Sequence, residues 1–223
     1  MSTEDDNFIR EVNEELRSDQ ANALWKKYGK LIIGGAVAIV LGVAGNVGYK
    51  NWVDSQAAAS GDIFLEALTH AREGRNDEAL AAFDQLKADG YGSYPVLAKM
   101  RAATVIAEQG NAEDAISEFL SVANDGSVAD ALKDVAKIRA GYLMVDVSSY
   151  DEVAAQVEVL TNTTNTMRHS AREILGLSAF KANDYARAKD WFTLVVEDTS
   201  TPQQIAARAQ VILDLIAGRS STS

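Results

Sequence analysis

The sequence predicts an all-α protein, in which a single transmembrane helix is followed by an α-solenoid of helix pairs. Three observations carry that reading. Residues 31–49, LIIGGAVAIVLGVAGNVGY, form one apolar run with no charged side chain. Only two prolines interrupt a chain rich in Ala and Leu, both strong helix formers. A spaced pattern also returns: Gly74, Ala79 and Phe83 are matched 36 residues later by Gly110, Ala115 and Phe119.

Taken in order, residues 1–30 read as a cytoplasmic tail. Residues 1–7 are polar and read as an irregular terminus. Phe8, Ile9, Val12 and Leu16 then share one face of a short amphipathic helix, with Glu11, Glu14 and Glu15 off it. That helix leads into the anchor or docks on a partner of its own.

Residues 31–50 are the span. At about 1.5 Å per residue the apolar run covers roughly the 30 Å hydrocarbon core of a bilayer. It is longer than the apolar region of a secretory signal and starts about thirty residues in, so it reads as an anchor that stays. Arg17, Lys26, Lys27 and Lys30 precede it, whereas only Lys50 follows before Arg72. The positive-inside rule places the N-terminus in the cytoplasm and everything after Lys50 on the far side. Trp25 and Tyr28 ahead of the run, and Tyr49 and Trp52 after it, suit the two interface belts. Gly34, Ala38 and Gly42 stand at four-residue spacing, and Ala44 and Gly48 repeat it. Small residues so spaced let helix backbones approach closely in lipid, which makes this face a candidate docking surface for another membrane protein.

Residues 51–223 hold the repeats. A first helix over about residues 55–72 has Ile63, Phe64, Ala67, Leu68 and Ala71 on its apolar face. The turn, small and aromatic positions follow in two copies, and a third copy, Asn183, Ala188 and Phe192, stands 73 residues beyond the second. That interval leaves room for one degenerate copy, starting near the capping box Ser149-Tyr-Asp-Glu152. Gly90-Tyr-Gly-Ser-Tyr-Pro95, Asn124-Asp-Gly126 and the Thr/Asn run at 161–166 mark loops. A last helix starts at Thr201-Pro202 and ends at Gly218, as the solvating cap that a solenoid needs. These residues, with Leu175-Gly176 five before Phe180, resemble the tetratricopeptide repeat, a pair of antiparallel helices about 34 residues long. The Trp and Pro expected in each unit are mostly missing and the spacings of 36 and 73 exceed multiples of 34, so a stack with one irregular middle is expected rather than a uniform superhelix.

Composition bears on chemistry. The net charge is −11, and residues 51–223 carry 15 basic and 25 acidic side chains, a balance of −10. Such a chain, with no basic stripe, is not a nucleic-acid binder. The absence of cysteine removes disulfides, thiolate nucleophiles and the usual structural zinc sites. His70 and His169 are the only imidazoles and lie about a hundred residues apart. The pairs Asp77-Glu78, Glu113-Asp114 and Asp151-Glu152 fall in first turns of helices, where acids complement the dipole. No phosphate loop or hydrolase motif is present, so no enzyme activity, cofactor or metal site is expected.

The first helix of each pair in such a stack lines a concave groove that holds peptides. The register puts Phe64, Leu68, Met100, Thr104, Leu177 and Phe180 there as candidates, the alternative being that most of them are core.

The order of parts adds to this. Tyr28-Gly-Lys30 ahead of the anchor, Gly48-Tyr-Lys-Asn-Trp52 at its exit, and the helix pair over Gly176 to Phe192 followed by Thr201-Pro202 resemble the ancillary-subunit family of the bacterial SecYEG translocon. The resemblance spans about residues 20–217. It implies a single-pass inner-membrane protein with a periplasmic C-terminal domain. It also implies association with SecYEG and with a membrane-anchored periplasmic chaperone of the peptidyl-prolyl isomerase type, in aid of exported client chains. The longer amphipathic tail at residues 8–16 departs from that family. The other reading is a membrane-tethered scaffold for cell-envelope assembly or division, with no role in export.

Overall fold

The computed structural model describes the backbone of residues 3–220, with side chains at Arg17 and at residues 22–219. Among these the chain is helical throughout, with no strand: α1 (Thr3–Arg72), α2 (Asn76–Asp89), α3 (Tyr94–Glu108), α4 (Ala112–Ala123), α5 (Asp130–Val147), α6 (Tyr150–Val157), α7 (Arg168–Lys181), α8 (Tyr185–Glu197) and α9 (Gln203–Ser220). A 3₁₀ turn, Glu158–Thr161, follows α6.

Where the sequence suggests an irregular terminus, a tail helix, an anchor and a first repeat helix, α1 runs through all four without a break. No proline lies in its 70 residues, and exposed glycines cost only about 1 kcal/mol each relative to alanine, too little to end a helix flanked by strong formers. The side chains of the amphipathic face at Phe8 to Leu16 lie outside the described residues. At its other end α9 continues past Gly218.

The chain divides into two units, one up to Gln56 and one from Ala57. In the first, residues 31–49 are exposed along their whole length, Leu31, Ile39 and Leu41 among them. Residues 22–72 include a helical stretch long and apolar enough to cross a membrane.

In the second unit, helices pair in sequence order. The end of α1 packs on α2 through Ala67, Ala79, Phe83 and Leu86, all buried. Helices α3 and α4 pack together, as do α5 with α6 and α7 with α8, and α9 closes the end against α8. The turn inside each pair explains the recurring residue there. Gly74 (φ 76°), Gly110 (φ 90°) and Asn183 (φ 61°) are left-handed, and each ends its helix with the same two backbone bonds. At the first turn Arg75 N–H donates to His70 O (2.9 Å) and Gly74 N–H to Ala71 O (3.1 Å). Asn111 to Ile106 and Gly110 to Ala107 repeat this, and so do Asp184 to Ala179 and Asn183 to Phe180. This is the Schellman arrangement, which needs a left-handed residue one place beyond the cap.

The third pair is the irregular one. Ser148 stands in the turn position with an extended backbone, and Ser149 caps α6 by a full capping box with Glu152, as the sequence indicates. Helix α6 has only eight residues before it tightens into the 3₁₀ turn.

The shared register joins all four pairs. Seven residues before each turn sits a small residue, Ala67, Ala103, Gly141 and Gly176, all buried. Nine residues after the turn sits the side chain facing it: Phe83, Phe119, Val157 and Phe192. A Cβ on Gly176 would lie 2.8–3.0 Å from three atoms of the Phe192 ring, and one on Gly141 would lie 2.8 Å from Val157 Cγ1. Helices in contact at these points leave no room for a methyl group.

The left-handed turns give a first test. Gly74→Ala and Gly110→Ala should each lower stability by about 1–2 kcal/mol, because a Cβ is penalised in that conformation. Asn183→Gly should leave stability unchanged or slightly raised. Chemical-denaturation midpoints read both, and equal losses at all three positions would contradict the turn geometry.

Candidate groove along the first helices

The register that packs the pairs also selects what the first helices show outward. Leu68, Thr104, Tyr142 and Leu177 each directly follow the small residue, and Phe64, Met100, Ile138 and Glu173 each precede it by three. Except for Ile138, which is buried in the core, these residues border a chain of connected hollows. The first is lined by Leu68, Arg72, Arg101, Thr104 and Glu108. The second, of about 310 Å³, has Phe64, Leu97, Met100, Phe119, Leu132 and Val135 for its walls, with Arg101 and Arg139 at its edge. Thr104, Phe119 and Arg139 pass into a third with Tyr142 and Leu143. Tyr142 opens a fourth, with Glu173, Leu177, Phe192, Arg208 and Ile212.

Of the six residues selected by sequence, Phe64, Leu68, Met100, Thr104 and Leu177 lie along this line. Phe180 does not line these hollows. It packs into the cluster of α7, α8 and α9, with its ring 5.5 Å from that of Tyr185 and the Arg219 guanidinium 5.7 Å away. Ala71 and Ala107, at the same position four after the small residue, do border the hollows, so it is packing among α7, α8 and α9 that draws Phe180 aside. Gly34, Ala38 and Gly42 lie on the exposed surface of α1, and a Cβ at either glycine would meet nothing within 4 Å.

Among the groove residues that escaped the sequence reading are Arg101, Arg139, Tyr142 and Glu173. Projecting the register onto the degenerate third copy would have found Arg139 and Tyr142 beside Arg101 and Thr104.

Glu173 is the most unusual of them, a carboxylate only 2 % exposed. It accepts from Tyr142 Oη (2.6 Å), Arg208 Nε (2.6 Å) and Arg208 Nη2 (2.9 Å), joining α5, α7 and α9. A buried charge requires such partners. Burial first, and then the hydrogen bond to Glu173, pushes the Tyr142 phenol up to about 12. The hydrogen bond to Glu173 likewise raises the Arg208 guanidinium. Because the folded state holds the Tyr142 proton more tightly than the unfolded chain, its contribution is complete below about pH 10 and is lost as pH rises toward 12. Tyr142→Phe should flatten that alkaline fall in melting temperature, and an unchanged alkaline limb would remove the assignment.

The second polar cluster fastens the turn between α8 and α9 onto the start of α7. Asp198 accepts from Ser200, Arg168 Nε (3.0 Å) and Arg172 Nη1 (3.2 Å). The Ser200 hydroxyl, and then Arg168, hold its carboxyl well below the usual range. His169 Nδ1 lies 2.8 Å from Thr201 Oγ1, and burial, reinforced by the Arg168 charge, lowers its basicity. His70 stands at the first turn instead, with Nδ1 3.3 Å from Glu78 and Nε2 3.5 Å from Glu66. Among the described residues no three His, Asp or Glu side chains gather as metal ligands.

Comparison with known proteins agrees with the helix-pair register. No curated protein matches the chain, and no solved structure does. The model of a tetratricopeptide repeat-like domain matches residues 22–214, which include the end of α1, every paired helix and most of α9. With four pairs in one register, three of them closed by a left-handed turn, and this match over most of its length, the chain belongs to the tetratricopeptide repeat-like domain family.

Proposed function

We propose that the protein is a membrane-anchored interaction module that serves as an ancillary subunit of the SecYEG translocon. In this reading residues 31–50 cross the bacterial inner membrane once, with the N-terminus cytoplasmic and residues 51–223 in the periplasm. The groove receives a segment of a membrane-anchored, peptidyl-prolyl isomerase-type chaperone or of an emerging client. Gly34, Ala38 and Gly42 pack on a translocon helix. The domain then acts by proximity, since tethering at the exit raises the effective concentration of partners and lets weak contacts suffice.

The observation that carries the reading is the joining of two features in one chain. An apolar run exposed along its whole length leads into a repeat domain with an open, half-apolar groove. An exposed run of that size marks a membrane or protein contact. The SecYEG assignment rests on the resemblance of the residues flanking the anchor and of the last helix pair.

A photoreactive residue at Gly42 and another at Leu177, activated in intact cells, test this directly. Translocon subunits captured from Gly42, with a periplasmic chaperone or an export client captured from Leu177, are the expected result. Capture only of division or envelope-assembly proteins would replace this reading with the scaffold role.

A further inference from the structure

We infer that the groove selects acidic segments carrying a bulky apolar side chain, a specificity that rests on the interaction-module reading above and narrows it. The reason is a local reversal of charge. Residues 51–223 carry a balance of −10, yet the hollows along the first helices are bordered by Arg72, Arg101 and Arg139 against Glu108 alone, once Glu173 and Arg208 are counted as a pair. Arg101 and Arg139 are exposed and enter no ion pair among the described residues. In an acidic domain most arginines have a carboxylate within reach, as Arg75, Arg168, Arg172 and Arg187 do.

Placement gives these two charges a task. Both border the same hollow, whose walls are Phe64, Met100, Leu132 and Val135, and each also borders one further hollow. Two guanidiniums, one from α3 and one from α5, therefore border one apolar recess. A ligand that fills the recess and answers both charges has an aromatic or aliphatic side chain with carboxylates before and after it. Guanidinium–carboxylate bonds are directional and charge-assisted, so they fix the register of a chain whose apolar anchor alone would bind many sequences. The surrounding acidic surface repels anionic segments everywhere except at this line and lets cationic ones adhere without register, so selection and placement come from the same two residues.

The test uses the full chain in a neutral detergent and three fluorescein-labelled peptides, read by anisotropy against empty micelles. Their cores are Glu-Glu-Phe-Leu-Glu-Glu, Lys-Lys-Phe-Leu-Lys-Lys and Glu-Glu-Ser-Ser-Glu-Glu. The first should bind, more weakly as salt rises, and the other two should bind at least about tenfold less tightly. The double variant Arg101→Glu/Arg139→Glu should lose roughly tenfold or more for the first peptide and gain affinity for the second, with an unchanged melting temperature. Arg101→Lys/Arg139→Lys should retain part of the binding. Equal binding of the Lys and Glu peptides, or of the Ser peptide, or no response to the charge reversal, overturns the inference. Met100→Ser and Thr104→Trp separate this from failure of the groove itself. If the Lys peptide binds and these variants abolish it, the groove remains an interaction site and only the acidic preference falls. If they alter no peptide's binding, both fall.

Discussion

Gly176→Ala should destabilise the repeat domain by about 1–3 kcal/mol, even though alanine is the better helix former by about 1 kcal/mol. The added methyl would sit 2.8–3.0 Å from three atoms of the Phe192 ring, which is 1 % exposed and packed among Ala179, Ala188, Val195 and Ala209. Phe192→Ala alone should cost about 3–5 kcal/mol through lost burial and the cavity left behind. The coupling between the two is the sharper expectation. With the ring gone the methyl has space, so in the Phe192→Ala background Gly176→Ala should become neutral or stabilising. A double-mutant cycle on denaturation free energies measures this. Additive costs would show that the two helices do not meet at this point. Gly141→Ala should destabilise likewise, but truncating Val157 should relieve it only in part, because the methyl would also lie 3.2 Å from Ile174 Cδ1.

Arg208→Met should cost about 2–3 kcal/mol, well beyond the effect of removing an ordinary surface arginine. The figure lies below the usual range for breaking a buried pair because the Arg208 side chain is 57 % exposed while that of Glu173 is 2 % exposed. The penalty comes from the carboxylate left behind, which keeps only the Tyr142 hydroxyl as a partner. Replacing Glu173 as well, in Glu173→Gln/Arg208→Met, should recover most of the loss, since an amide carries no charge to desolvate. Arg187→Met serves as the comparison, because its ion pair with Asp184 is exposed on both sides. Thermal melts in which Arg208→Met and Arg187→Met fall together would mean that Glu173 is reached by water and that its burial contributes nothing.

Both predictions concern residues whose roles the sequence showed unequally. Gly176 was legible as a small residue in a repeat, because close helix contact permits little else and the same spacing recurs at three turns. The repeat pattern also singled out Phe83, Phe119 and Phe192, each of which the structure buries against the small residue of its own pair. Gly141 was hidden, because the third copy has Ser148 where the others have Gly or Asn, and Val157 where the others have Phe. The motif there differs from the other copies although the packing geometry is the same, with Gly141 making room for Val157 and Ile174 at once.

Periodicity, composition and the spacing of small and aromatic residues thus determined from sequence alone that the chain is all helical, where each pair turns, and that a long apolar stretch precedes the repeats. These are local properties, set by backbone conformation and helical register within a few turns. The tertiary structure decided what depends on several helices at once. It joined tail, apolar run and first repeat helix into α1, because no residue in between costs enough to end a helix. It took Phe180 out of the groove, because its ring packs against Tyr185 of α8 and beside Arg219 of α9. It also buried Glu173 between Tyr142 and Arg208, contacts between residues 31 and 35 positions apart that no periodic signature along the chain announces.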